Sequence, residues 1–266
     1  MINLNINSEI IDEYLESGNL NGVIDHWIYQ IIIPGEHSFK EPEGFSLETF
    51  KQLYENTKKK LINFTPLNKD LWFRIFGPTQ IPDTITVCLI VGAPKGNEAI
   101  VREDRNGHRY IMIDLAQIYT YSRDINQLDF IIFDFITHEV AHALISLKYP
   151  YSDKLTKAQL LKQLTFDEGI AHFLSYQEDV LSVDWNTEEM KQRKASAYNK
   201  LNYFLEHVDG FSIELMRQSN SGAFWDKFAS ISGMFAIMEY HEKGGRLSRL
   251  LTHGPDLLIE YIIDKS

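Results

Sequence analysis

The feature that most constrains the fold is an apolar segment between residues 128 and 147, which is long enough for about five helical turns. Its apolar residues fall around most of the circumference of a helix, and a helix of that kind is buried. We therefore expect this segment to form a helix inside the protein. The apolar positions are Phe130, Ile131, Ile132, Phe133, Phe135, Ile136, Val140, Ala141, Ala143, Leu144, Ile145 and Leu147.

Three polar residues in this segment, His138, Glu139 and His142, form the pattern H-E-x-x-H. Residues four apart on a helix differ by about 40° around its axis, so both imidazoles can bind one metal ion. Glu139 projects about 100° away, where its carboxylate can reach a metal-bound water without being a ligand. A metal with its water would satisfy all three buried groups, which otherwise need other partners. The alternative is a pair of core histidines bonded to carbonyls beside an ion-paired glutamate.

A hydrolytic zinc site has three protein ligands and one open position, so a third ligand must come from another segment. The next predicted helix carries Glu168 in a mostly apolar stripe with Leu160, Leu161, Leu164 and Ala171. A carboxylate in that stripe needs a positive partner, and a metal ion would supply one. Small residues at Gly169 and Ala171 would allow this helix to come close. We predict His138, His142 and Glu168 as the ligands.

Other polar residues near these ligands leave alternatives open. His172 lies one turn beyond Glu168 and is the competing third ligand. Asp134, one turn before His138, could orient a ligand imidazole, as carboxylates behind metal-bound histidines do. Asp167 is expected either behind the ligands or at the surface.

The remaining pattern predicts many helices and a small sheet. Strands are expected at Thr84–Val91 and Tyr110–Leu115, where β-branched residues dominate, and turns at Gly96 and Asn106-Gly107 would let them pair antiparallel. A helix is expected between Ser46 and Phe64 from the spacing of its apolar residues. Beyond Asp124 we expect helices at about 128–148, 156–176, 187–207, 225–242 and 255–263.

Composition excludes several functional classes. The chain has 26 Lys and Arg against 37 Asp and Glu, a formal charge of -11, which disfavours a nucleic-acid partner. Cys88 is the only cysteine, so a disulfide within the chain and a thiolate-built zinc site are excluded. The first residues lack the basic start and apolar core of a secretory signal, and long uninterrupted apolar runs are missing. We expect a cytoplasmic protein that does not bind membranes.

Together, the two polar segments resemble those of the gluzincin metallopeptidases. His138-Glu139-Val140-Ala141-His142 is followed about 25 residues later by Glu168-Gly169-Ile170-Ala171-His172-Phe173, similar to the family's H-E-x-x-H and E-G-x-A-x-[FY]. The resemblance extends over residues 84–261 and is closest to poorly characterised zinc-dependent peptidases. The metzincin pattern does not fit, because Ile145 and Lys148 stand where that pattern requires Gly and His.

The resemblance implies a Zn2+ cofactor bound by His138, His142 and Glu168, with Glu139 as the general base that cleaves a peptide or protein substrate. It implies an α+β fold, a mostly helical zincin-like metallopeptidase domain with a small antiparallel sheet before the active-site helix. The strand at 111–115 would then border the cleft and pair with extended substrate backbone. We expect this catalytic domain over residues 80–266 and a mainly helical region over 1–79, with a soft boundary and a single domain as the alternative.

Some details of the family pattern are missing. The Gly-x-Met-x-Asn signature of the large aminopeptidases is absent, so trimming of amino termini is not supported. No motif identifies the side chain that would stabilise the developing oxyanion, and Tyr203, Tyr240, His241 and His253 are the candidates. Three other functions stay open: a non-catalytic or regulatory zinc-binding protein that keeps the metallopeptidase fold, a hydrolase acting on a non-peptide substrate, and a helical interaction protein without metal.

Overall fold

A computed structural model describes residues 2–44, 46–77 and 84–264 of the chain. About 58% of the protein is helical and it contains a small four-stranded mixed sheet, which agrees with the predicted α+β class. The strands are β1 (Leu4–Asn7), β2 (Ile85–Ile90), β3 (Ala99–Glu103) and β4 (Arg109–Asp114). The helices are α1 (Glu9–Ser17), α2 (Leu47–Leu61), α3 (Lys69–Phe76), α4 (Leu115–Ile118), α5 (Ile125–Lys148), α6 (Lys157–Ser175), α7 (Glu188–Glu206), α8 (Ile213–Arg217), α9 (Phe228–Glu242), α10 (Ser248–His253) and α11 (Pro255–Ile263).

The long helices expected from the sequence are all present, and their first residues explain where they begin. Thr156 caps α6 in a capping box with Gln159, and Thr187 accepts a hydrogen bond from the backbone N–H of Met190 at the start of α7. Ser46 caps α2 in the same way. Pro255 begins α11, where its missing N–H is not needed. Helices α1 and α3 lie in the region predicted to be mainly helical but were not predicted individually, and α4, α8 and α10 were not predicted.

The sheet has the order β1-β2-β4-β3. Strands β2 and β4 pair in parallel, with Val87 opposite Ile111, so the predicted antiparallel pairing and the predicted antiparallel sheet are wrong. The reason is an unpredicted strand, β3, which pairs antiparallel with β4 through a turn at Gly107. That extra reversal of the chain leaves β2 and β4 running in the same direction.

The position of β4 also corrects the expectation that this strand receives substrate. Strand β4 is hydrogen-bonded to β2 on one side and to β3 on the other. Both of its edges are therefore occupied, and it has no backbone groups left to pair with a peptide. In the described part of the chain, β1 and β3 are the outer strands of this sheet.

Contacts divide the chain into two compact units, Met1–Pro66 with Pro82–Ala143 and Leu67–Ile81 with Leu144–Ser266. The predicted boundary between residues 79 and 80 lies outside the described residues. In the first unit, the sheet packs with α1 and α2, and Ile11, Phe50 and Val87 are completely buried.

In the second unit, α6 and α9 approach each other at two glycines. An added Cβ at Gly169 would lie 2.6 Å from the Gly233 Cα, and one at Gly233 would lie 2.1 Å from the Thr165 carbonyl oxygen. Only residues without a side chain fit at this crossing. Helix α9 is buried throughout 228–238, so α6 and α9 form the core of this unit.

Helix α5 meets the length and composition of a membrane span, and it is the one helix among the described residues that does. Fewer than half of the residues in its most apolar stretch are buried inside the protein. The core helix of a soluble protein meets the same criteria. The absence of a membrane partner therefore stays a prediction.

Candidate metal centre

His138 and His142 lie side by side on α5. Their Nε2 atoms are 2.9 Å apart and the two rings are nearly perpendicular, with centroids separated by 4.6 Å. Each ring is half-buried, and the buried face of the same helix includes Ile136 and Val140. The i, i+4 spacing has thus directed two imidazole nitrogens to one point, as the helix geometry predicted.

Glu168 on α6 completes a group of three. One ligand atom from each of His138, His142 and Glu168 lies within 4.8 Å of the others, and all three residues are half-buried. This group could hold a metal ion. It is the grouping that the sequence predicted, and it takes Glu168 rather than the competing His172 as its third member.

The donor set fits a zinc ion. Two imidazoles and one carboxylate are the ligands of many hydrolytic zinc sites, which keep a fourth position open. Donors bound at about 2.0 Å in a tetrahedron lie roughly 3.3 Å apart, so the 2.9 Å between the two Nε2 atoms is close to the required separation.

Glu139 follows His138 and points in a different direction around α5. Only 7% of this residue is exposed, so its carboxylate is largely removed from water. Burial lowers the pKa of Arg102 on β3, whereas the negative charge of Glu139 raises it. Glu139 therefore lies in the electrostatic field of a guanidinium group, beside the two histidines but outside the group of three.

A tyrosine that the sequence analysis missed lies beside the carboxylates of α6. The side chain of Asp167 on α6 is only 4% exposed. Burial and the nearby charges of Asp167 and Glu168 raise the pKa of Tyr151 well above its ordinary value. The phenol thus stays protonated at neutral pH, although 45% of the whole residue is exposed. The one feature of the sequence that could have indicated Tyr151 is its position in the loop directly before α6.

His172 has a different setting from the two histidines of α5. Its Nε2 atom is 3.8 Å from Oε2 of Glu168, and its ring lies 5.2 Å from that of Phe224. Phe224 in turn stacks on Tyr176. His172 therefore lies between a carboxylate and an aromatic cluster, where it can hold the Glu168 side chain in position. The predicted role of Asp134 stays a prediction.

The four oxyanion candidates have local contacts of their own. Tyr240 packs edge-on against Tyr261, and Tyr203 is exposed and packs on His207. Burial and the charge of Arg74 lower the pKa of His241. The exposed His253 accepts a hydrogen bond from Arg249. The oxyanion role of each of the four stays a prediction.

No family model, curated protein or solved structure matches the chain.

Proposed function

We propose that the protein is a zinc-dependent peptidase of the gluzincin kind, with a zincin-like fold, acting in the cytoplasm on peptide or protein substrates. One observation carries the proposal: His138, His142 and Glu168 offer three donors within 4.8 Å of one another, next to a buried glutamate. A purely structural zinc site would use four protein ligands, whereas three leave a position for water.

The residues of the chain have separate roles in this reaction. The Nε2 atoms of His138 and His142 and the carboxylate of Glu168 hold the ion. When bound, zinc lowers the pKa of water and polarises a carbonyl group. The carboxylate of Glu139 takes a proton from the attacking water and then delivers it to the nitrogen of the leaving amine. Its burial excludes bulk water from that proton transfer.

The substitution Glu139→Gln tests the role of the base. We expect this variant to bind zinc as the native protein does and to lose at least about 100-fold in kcat, because an amide cannot accept the proton. Glu178→Gln, on an exposed residue outside the site, is the matched control and should retain full activity. Turnover near the native value in Glu139→Gln would refute the assignment.

Metal content tests the ligands independently of activity. Protein purified without chelators should carry about one zinc ion per chain, and His138→Ala or His142→Ala should lose most of it. Elemental analysis measures this ratio. A full complement of zinc in either variant would mean that other residues bind the ion. Zinc binding without cleavage of any component of an unbiased peptide mixture would instead favour a regulatory zinc protein.

A further inference from the structure

His172 is a buried histidine that lies one helical turn beyond Glu168 on α6. Only 6% of the residue is exposed, and its Nε2 atom is 3.8 Å from Oε2 of the Glu168 carboxylate, which is within ion-pair distance. Residues four apart lie on the same face of a helix, and a glutamate that precedes its basic partner is the favourable order. The imidazole is therefore directed at one particular oxygen of a predicted metal ligand.

Aromatic rings fix the orientation of the His172 imidazole. Its ring centroid lies 5.2 Å from that of Phe224, which stacks on Tyr176 with an interplanar angle of 22°. Tyr176 also contacts Trp185, and its backbone N–H donates to the carbonyl oxygen of His172 at 2.9 Å. Buried rings in tight packing keep one rotamer, so the packing holds the His172 ring towards Glu168.

The contact with one oxygen matters because a carboxylate can bind a metal ion through one oxygen or through both. Together with His138 and His142, one oxygen of Glu168 gives three protein ligands and leaves a position for water. Both oxygens would give four and close the site. An imidazole can donate an N–H from Nε2 whether the ring is neutral or protonated, and such a donor would hold one of the two oxygens.

We propose that His172 is a positioning residue whose imidazole holds Oε2 of Glu168, so that this glutamate binds the ion through its other oxygen alone. The fourth position of the ion then stays open. This inference rests on the proposed peptidase function, because that reaction needs a water molecule on the ion. His172 is not itself a ligand in this proposal, since the group of donors within 4.8 Å of one another comprises His138, His142 and Glu168.

The open position can be probed without any substrate. Full-length protein is loaded with Co2+, which takes the same nitrogen and oxygen donors as zinc and absorbs visible light, and is then titrated with azide, a small anion that binds a free position on the metal. Native protein should bind azide saturably, seen as a change in the cobalt absorption bands. His172→Phe keeps an aromatic ring against Phe224 but has no N–H, so both oxygens of Glu168 can bind the metal. We expect this variant to bind azide roughly 10-fold more weakly or worse, while it retains its cobalt.

Other variants control for indirect effects of the change. His172→Gln carries an amide N–H that can reach Glu168 from the same backbone position, and it should restore most of the azide affinity. His207→Phe makes the same change on an exposed residue outside the site and should leave azide binding unaltered. Thermal melting checks the fold of each protein. If His172→Phe does not fold, Phe224→Ala removes the ring that packs on His172 and should weaken azide binding in the same direction by a smaller factor.

Three results would overturn the inference. An azide affinity equal to the native one in folded, cobalt-loaded His172→Phe would show that His172 does not keep the position open. Loss of cobalt from this variant, to the extent seen in His138→Ala, would make His172 a ligand instead. Native protein that binds neither cobalt nor zinc would refute the metal centre and the role of His172 together.

The azide titration also separates this inference from the peptidase proposal. Azide binding that depends on His172, in a protein that cleaves no peptide, would support the positioning role and contradict the peptidase function. Cleavage of peptides together with equal azide affinity in native and His172→Phe protein would refute the positioning role and leave the peptidase function standing.

Discussion

The crossing of α6 and α9 predicts that Gly233→Ala destabilises the second unit, although alanine is the better helix former. The new Cβ would lie 2.1 Å from the Thr165 carbonyl oxygen and 2.7 Å from the Gly169 Cα. Ordinary contact begins near 3.4 Å. Because the opposing atoms are backbone and cannot rotate away, one helix must move by about 1 Å.

The size of the destabilisation by Gly233→Ala follows from two opposing contributions to the free energy of unfolding. Alanine gains about 1 kcal/mol over glycine in helix propensity. Overpacking costs about 1–3 kcal/mol and more when backbone must shift, so we expect a net loss of about 2 kcal/mol in the free energy of unfolding. For a protein of this size, such a loss lowers Tm by about 4–8 °C.

The same movement should reach the candidate metal centre, because Glu168 directly precedes Gly169 on α6. We expect Gly233→Ala to bind zinc roughly 10-fold more weakly, although Gly233 is not a ligand. The control is Gly210→Ala. An added Cβ at Gly210 would have no atom within 4 Å, and the backbone of Gly210 is not left-handed. It should leave stability unchanged or raise it by about 0.4–1 kcal/mol. Calorimetric melting and a competitive zinc titration measure both effects, and a Gly233→Ala protein as stable as the native one would refute the reasoning.

Three further predictions concern Asp114, Cys88 and helix α5. Asp114 is completely buried, and burial raises its pKa to about 6, so folding favours the protonated carboxyl group. The stability that Asp114 contributes is therefore full below about pH 4 and is lost as pH rises through about 6. Urea unfolding of Asp114→Asn should vary less between these pH values than that of native protein, and an equal slope would contradict this. Burial raises the pKa of Cys88 to about 12, so a thiol reagent should modify it only after unfolding, and rapid native-state labelling would contradict its burial. If α5 is a core helix, the protein should remain in solution after high-speed centrifugation without detergent, whereas recovery in the membrane fraction would reassign α5.

Local periodicity accounts for what could be predicted about the site. The spacing of His138 and His142 depends only on the 3.6-residue helical repeat, so their shared direction follows from neighbouring residues. Glu168 was predicted because it lies in an apolar stripe, and its grouping with the histidines agrees with that prediction. Arg102 and Tyr151 gave no such signal. Arg102 follows three apolar residues on the short strand β3, and Tyr151 lies in a loop, so the effect of Glu139 on the first and of Asp167 on the second depends on packing.

The sequence by itself determined the long helices, their caps and the pair of imidazoles, since these depend on contacts between residues within a few positions of each other. Tertiary structure decided the rest. The parallel pairing of β2 and β4 required the unpredicted strand β3, and the close approach of α6 and α9 required two glycines 64 positions apart in the chain to meet. Contacts over such separations depend on how whole elements pack, and a pattern read along one segment contains no information about its distant partner.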